Sequence, residues 1–567
     1  MKLPFTSSIP QARTQLLRSL QQAFRLAVVA NEPGAPSADE LAEMATSQTR
    51  RDFLTNTAKM GLLVSAGGLL SACDTEVVEP ALEPQRQQSL GSLTGVAPRV
   101  VVVGAGMAGL NCAYQLKKAG VPARVYEASN RAGGRIFTAR GLMGPGLTTE
   151  LGGEFIDSGH ADMLQLAQEF GLPLYDVESP SETVLQKDAY FFGGKQYTVA
   201  QVIAAFQPYA RQMQADIRSL PGTITFEKMN AAAARFDQMS IAAYFDSIHM
   251  TGWIRTLLEV AYLTEYGREV NDQTSINFLW LFSADTSKGT FDIFGVSDER
   301  YKIKGGNQQL TDALHEQLAG QVTLQHKLVA LSQQGSEYHL TFEQASGTRL
   351  TVVADYVVLT IPFTILRTVD LQVALPAWKL NAIQNLGYGT NAKLFLGFNG
   401  RPWRNNGYTG YLFSDQTAQS GWDSGQLQPT TQTAFTVYLG GQAGVAVGSG
   451  SAQSQAGKFL PVLEKAWPGT QAAFNGQVER FHWPTHPHTL ASYACYRVGQ
   501  FSTIAGAEGK PVGNLFFAGE HCSAWYQGFM NGAAETGRMA ASDVQAALRT
   551  KNTALHQRMR QREKSLA

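Results

Sequence analysis

Three glycines and an acid come first among the residues of this chain that could do chemistry. Gly104, Gly106 and Gly109 have the GxGxxG spacing directly after the β-branched run 100–103, and Glu127 closes a second strand-like run. In a strand–turn–helix unit the first glycine permits a tight turn and the second lets backbone approach a pyrophosphate. The third lets helix and strand pack closely. Met107 and Ala108 would open the helix, where free N–H groups and the dipole favour phosphate. Glu127, with Ala128 beside it, can accept hydrogen bonds from ribose hydroxyls, which favours an unphosphorylated ribose. A GxGxxG alone fits an ordinary glycine turn; with strand, helix and acid in this order it predicts a dinucleotide site. In RAGGR (131–135) the glycines let backbone pass under a bulky ligand, and Arg135 can meet a phosphate with a charge-assisted bond.

Lys393 is the second candidate. It stands in LGYGTNAKLFLGFNGRPW (386–403), an otherwise apolar strand pattern, where an ammonium is costly without a partner. A lysine at a strand edge would be the plain alternative.

The elements that must hold these residues can be read more coarsely. A chain of 567 residues can bury a large core and form more than one domain. Its 46 basic and 46 acidic residues cancel, so bulk charge does not point to nucleic acid. No apolar run reaches the roughly 18 residues of a spanning helix. Four cysteines (Cys73, Cys112, Cys495 and Cys522) are too few and too scattered for a disulfide framework or a CxxC metal site, and no metal is expected. Residues 160–175 read as a helix, and 173–298 holds helical segments such as VIAAFQPYARQMQADIRSL and MSIAAYFDSI. From Tyr301 a strand, a Gly305–Gly306 turn and a helix follow; 322–331 reads as a short strand, and ADYVVLTIPFTILR (354–367) as a buried strand ended by Pro362. NLFFAG reads as the last strand, with a helix after it.

Taken together, RAGGR and ELGGEFID (150–157) resemble the FAD-dependent amine oxidase family, which includes monoamine, polyamine and L-amino-acid oxidases. The resemblance covers about residues 99–547. It implies an α/β fold: a discontinuous Rossmann-like FAD-binding domain (99–172, 299–366 and 489–547) with an inserted α+β substrate domain (173–298 and 367–488). It implies that Gly152, Gly153, Glu154 and Phe155 run along the flavin, and that Leu328 takes the position whose backbone holds the adenine. Lys393 matches a family lysine bridged by water to flavin N5, where a cation stabilises negative charge on the flavin or on oxygen as it is reduced. Trp483 and, ten positions later, Tyr493 match the segment beside the flavin. Ser492 falls where monoamine oxidases carry the cysteine that bonds FAD, so non-covalent FAD is expected. Gly519 and Glu520 match the ribityl or phosphate contact, and Gly528, Phe529 and Met530 open a helix pointing at the cofactor. Phe529 and Tyr493 match the two walls of an aromatic substrate cage; either ring alone would fit a core position.

The activity implied is oxidation of an amine CH–NH2 to an imine, hydrolysed to a carbonyl and ammonia or an amine, with O2 giving H2O2. Animal-type L-amino-acid oxidases place an arginine where this chain has Phe155, which tilts the expectation toward amines and leaves an L-amino acid as the alternative, with an arginine from the inserted segments as its carboxylate partner. Glu154 fits either a cationic substrate or a structural role beside FAD. EYGRE (265–269) reads as structural. A desaturase or oxygen-avoiding dehydrogenase, and a non-enzymatic flavoprotein, are the competing classes.

Ahead of this unit, residues 1–48 read as an extension. Arg50 and Arg51 before a short apolar region resemble a bacterial twin-arginine export signal (49–73), and LSAC resembles a lipobox with Cys73 as the lipid anchor. Residues 74–98 read as a linker and 548–567 as a tail. One acyl chain anchors only loosely.

Overall fold

The computed structural model describes residues 98–281 and 298–566. The extension, the paired arginines, Cys73 and nearly all of the linker lie outside the described residues, as does 282–297 within the inserted segment.

The glycine unit forms as its pattern predicts. Strand Val100–Val103 is buried throughout, Gly104 turns the chain at φ +103°, and helix Met107–Lys118 follows. Five parallel strands make one sheet in the order Leu515–Phe517, Tyr356–Leu359, Val100–Val103, Ala123–Tyr126, Val322–Thr323. Such a sheet must be covered on both faces, which is why its strands are apolar at nearly every position. Val100 and Val102 point into a core built with helices Met107–Lys118 and Met530–Leu566. Val101 and Val103 point the other way, into a core shared with Leu331, Leu340 and Phe342 of a four-stranded sheet. The last helix lies hard against the first: a Cβ on Gly537 would come 2.3 Å from the Ala108 carbonyl oxygen.

A seven-stranded sheet forms the second layer system. Its order is Phe474–Phe481, Ala392–Phe398, Thr433–Leu439, Ser420–Asp423, Tyr408–Ser414, Gln186–Phe192, Lys195–Tyr197. Helices Val199–Ser219, Ile241–Ser247 and Gly252–Tyr266 pack an apolar core against it.

Some local expectations differ from what forms. The helix expected over 160–175 spans only Ala161–Glu169; Gly171 takes φ +63°, and Leu174–Asp176 becomes a strand antiparallel to Tyr301–Ile303. Glycine in the left-handed region stops the helix whatever the periodicity beyond it. The run 322–331 divides at Gln325 (φ +58°), so Val322–Thr323 joins the parallel sheet and His326–Gln334 the four-stranded one. Strands Gln186–Phe192 and Lys195–Tyr197 precede the segments that read as helical, and helix Met530–Leu566 runs on through 548–566.

Candidate active site

A cavity of about 940 Å³ runs from the glycine turn to the seven-stranded sheet. At one end its wall is backbone. A Cβ on Gly109 would sit 1.9 Å from the Gly104 carbonyl oxygen, and one on Gly104 would sit 2.7 Å from Thr360 Oγ1; both glycines serve packing. Gly106 differs, because a Cβ there would meet nothing nearer than Gly134 Cα at 3.9 Å. The space beside Gly106 is a cradle, lined also by Met107, Ala108, Gly133 and Gly134 at the start of the helix. That arrangement suits a diphosphate.

Glu127 and Ala128 line the same cavity. The Glu127 carboxylate accepts from the Ala105 N–H (2.7 Å) and the Ser129 N–H (2.8 Å), so it braces the glycine turn as well as facing the space where a ribose would lie. Leu328 lines the cavity beside a register shift in its strand. Arg135, expected to meet a phosphate, is paired with Glu520 at 2.9 Å and donates to the Ser492 carbonyl. Glu520 also accepts from the N–H groups of Ala494 (3.2 Å) and Gly528 (2.8 Å). The two residues that the motifs assign to the cofactor thus tie three distant segments together at the cavity wall. Gly519 (φ +134°) and Gly528 (φ +88°) set the turns on either side.

At the other end the wall is side chains. Lys393 lies in the fully buried strand Ala392–Phe398 and has the partners its position demands. Its Nζ donates to the carbonyls of Glu150 (3.0 Å) and Gly152 (2.9 Å) and to Glu154 Oε2 (2.9 Å). Lys302 Nζ stands 3.5 Å from the other Glu154 oxygen. Burial pushes the Glu150 carboxyl up to about 7, against hydrogen bonds from the Asn307 N–H and the Thr138 hydroxyl. Gly152 and Gly153 allow this close path: a Cβ on the first would lie 1.8 Å from the Arg135 carbonyl oxygen, and one on the second 2.7 Å from the Met530 side chain. Trp483 Nε1 donates to the Leu151 carbonyl at 2.9 Å and fixes the same loop.

Tyr493 and Phe529 both line this end, with Phe155. Tyr493 donates to the Glu265 carbonyl (2.8 Å), and its hydroxyl lies 2.8 Å from that of Tyr438. EYGRE therefore contributes through its backbone, while its Arg268 is paired with Asp272. Phe529 packs edge-on against the His160 ring at 5.0 Å. His160 is fully buried beside Asp157, and burial lowers its pKa.

Sequence reasoning missed Tyr438, Trp422, Phe413 and His160. Tyr438 and Phe481 pair across the sheet with Lys393, so all three share one region of the wall. That signal exists only once the register is known. Ser492 donates its hydroxyl to Asn391 Oδ1 at 2.7 Å, and none of Cys112, Cys495 and Cys522 lines the cavity. Among the described residues, no arginine of the inserted segments lines it either.

The model of the flavin-containing amine oxidoreductase family matches residues 107–545. The chain belongs to this family. A flavin-containing amine oxidase of Danio rerio is 22% identical over 470 residues, covering 80% of this chain and 87% of that one. An L-amino-acid oxidase of Pseudechis australis is 24% identical over 477 residues, covering 79% and 87%. The structure of cyclohexylamine oxidase from Brevibacterium oxydans IH-35A superposes with a TM-score of 0.69 at 19% identity, over 80% of this chain and all of that one. As a family member the chain is an FAD-dependent oxidoreductase acting on CH–NH2 groups, with a Rossmann-like FAD domain and a substrate domain. The Gly106 cradle, the Glu127 carboxylate and the Arg135–Glu520 pair fit the parts of that cofactor.

Proposed function

We propose that this chain oxidises amines lacking an α-carboxylate, using non-covalently held FAD and O2. FAD, when bound, supplies the acceptor for the hydride of the amine α-carbon and passes its electrons to O2. The net reaction converts amine, water and O2 into a carbonyl compound, ammonia or a smaller amine, and H2O2. The glycine turn and helix start would hold the diphosphate, Glu127 the ribose and the Leu328 backbone the adenine. Arg135 and Glu520 would hold the ribityl and phosphate region. Tyr493 and Phe529 present ring faces to the amine, where desolvation favours the free base over the ammonium. Lys393 supplies a fixed positive charge at the cavity wall for the reaction with O2.

The observation that carries the choice of amine is Phe155. It lines the cavity where an amino-acid clamp would need an arginine, with no arginine of the inserted segments beside it among the described residues. Oxidation of an L-amino acid is the second reading, favoured by the likeness to the Pseudechis enzyme. Peroxide release across a panel of amines and L-amino acids tests both. Turnover of amines alone supports the first reading, and turnover of L-amino acids alone the second. Ser492 in place of a cysteine supports non-covalent FAD; acid precipitation should release all the flavin into the supernatant. The paired Arg50–Arg51 and Cys73 support export with loose lipid anchoring, tested by fractionating cells that express the full chain.

A further inference from the structure

Lys393 is held in a socket built from one short loop. Within residues 150–154, two carbonyl oxygens and one carboxylate oxygen lie at 2.9–3.0 Å from its Nζ. An ammonium has three donors and no acceptor, and here each donor has an oxygen. A neutral amine would leave one of those oxygens facing a lone pair, so the socket matches the charged form. Lysine and glutamate are both nearly fully buried, where an unpaired charge would be costly.

The loop can form the socket because of its sequence. Gly152 carries no Cβ where the Arg135 carbonyl stands 1.8 Å away, and Trp483 pins Leu151 between the two carbonyls that face Lys393. Glu154 then turns its carboxylate between Lys393 and Lys302. A carboxylate with cations on both oxygens is not a receptor for a substrate ammonium. Around the pair stand the Glu150 carboxyl, held by Asn307 and Thr138, the Trp422 ring 5.3 Å from Lys393 Nζ, and Tyr438 on the neighbouring strand.

We propose that Glu154 is a positioning residue: it fixes the Lys393 ammonium on the cavity wall, and Lys302 sets how strongly by competing for the same carboxylate. This rests on the flavin site described above and concerns which charges face it, whichever amine is the substrate.

The test uses flavin-loaded enzyme and two variants, Glu154→Gln and Lys302→Met. The reduction potential of the bound flavin is measured at one neutral pH, with the rate of its reaction with O2 and the KM for amine beside it. In Glu154→Gln the potential should rise, since a negative charge is gone, and the reaction with O2 should slow more than tenfold, since the ammonium is no longer held in place. In Lys302→Met the potential should fall and the reaction with O2 should not slow, since Glu154 then serves one lysine. KM for amine should stay within about twofold in Lys302→Met. A rise in KM above tenfold in Glu154→Gln with potential and O2 reactivity unmoved would make Glu154 the substrate's receptor and overturn the proposal. A potential unmoved in Lys302→Met would overturn it even where Glu154→Gln fails to fold. The potential needs only bound flavin, so a substrate panel without turnover would defeat the amine reading and leave this measurement readable.

Discussion

The two ends of the cavity are made of different material. Around Gly104, Gly106 and Gly109 the wall is backbone, shaped by positive φ and missing Cβ atoms over a span of a few residues. Around Lys393 it is side chains drawn from positions as far apart as Glu154, Tyr438, Tyr493 and Phe529. A backbone site is local and tolerates almost no substitution. A side-chain site is assembled by the fold, and its chemistry changes with one residue. One end can therefore serve a common cofactor while the other selects a substrate.

The largest contrast should appear within the glycine turn itself. Gly109→Ala places a Cβ 1.9 Å from a carbonyl oxygen and should abolish the folded protein. Gly106→Ala has open space and an extended φ of −75°, so flavin-free stability should hold within about 0.5 kcal/mol. FAD affinity should nonetheless fall more than tenfold. Thermal melts with and without FAD check both, and equal behaviour of the two variants would erase the distinction between packing and ligand glycines.

A pH effect should belong to the side-chain end. Glu150 is pushed up to about 7 by burial, from an ordinary 4.5 in the unfolded chain. Its contribution to stability is full below pH 4.5 and is lost as the pH rises through 7, to a total of about 3 kcal/mol. Glu150→Gln keeps the two hydrogen-bonding oxygen sites in part and should flatten that slope in urea titrations. Gly106→Ala should leave the slope as it is.

Lys393→Met should slow reaction with O2 by about 10²-fold while anaerobic flavin reduction by amine stays near normal, as stopped-flow spectra would show. The smallest effect is expected for Tyr438→Phe. It removes the hydroxyl 2.8 Å from that of Tyr493 at a cost of about 1 kcal/mol, which would appear as a roughly fivefold rise in KM.

This difference in material also decides what could be read from the chain. The glycine spacing, Glu127 and the buried strand Val100–Val103 are local, so their order alone predicts the strand, turn and helix that form. Lys393 is legible as a charge needing a partner because its apolar strand surrounds it in sequence. Its partner was open: Glu154 lies 239 positions away, and only the approach of the loop at 150–154 to strand Ala392–Phe398 joins them. Arg135 and Glu520 were both assigned to the cofactor by motif, yet nothing in either motif shows that they pair with each other across 385 positions. Tyr438 and His160 carry no motif at all. Sheet register brings the first to Lys393, and ring packing brings the second to Phe529. Residues 174 and 175 fall within a stretch that reads as helix because the partner that makes them a strand, Tyr301–Ile303, lies far along the chain.

Anaerobic mixing of the flavin-loaded protein with simple primary amines tests the central claim most directly. The oxidised flavin's visible absorbance should bleach as the amine is consumed, and admitting air should restore it with an equimolar yield of H2O2. Absence of bleaching with every amine, or bleaching by L-amino acids alone, would contradict the account.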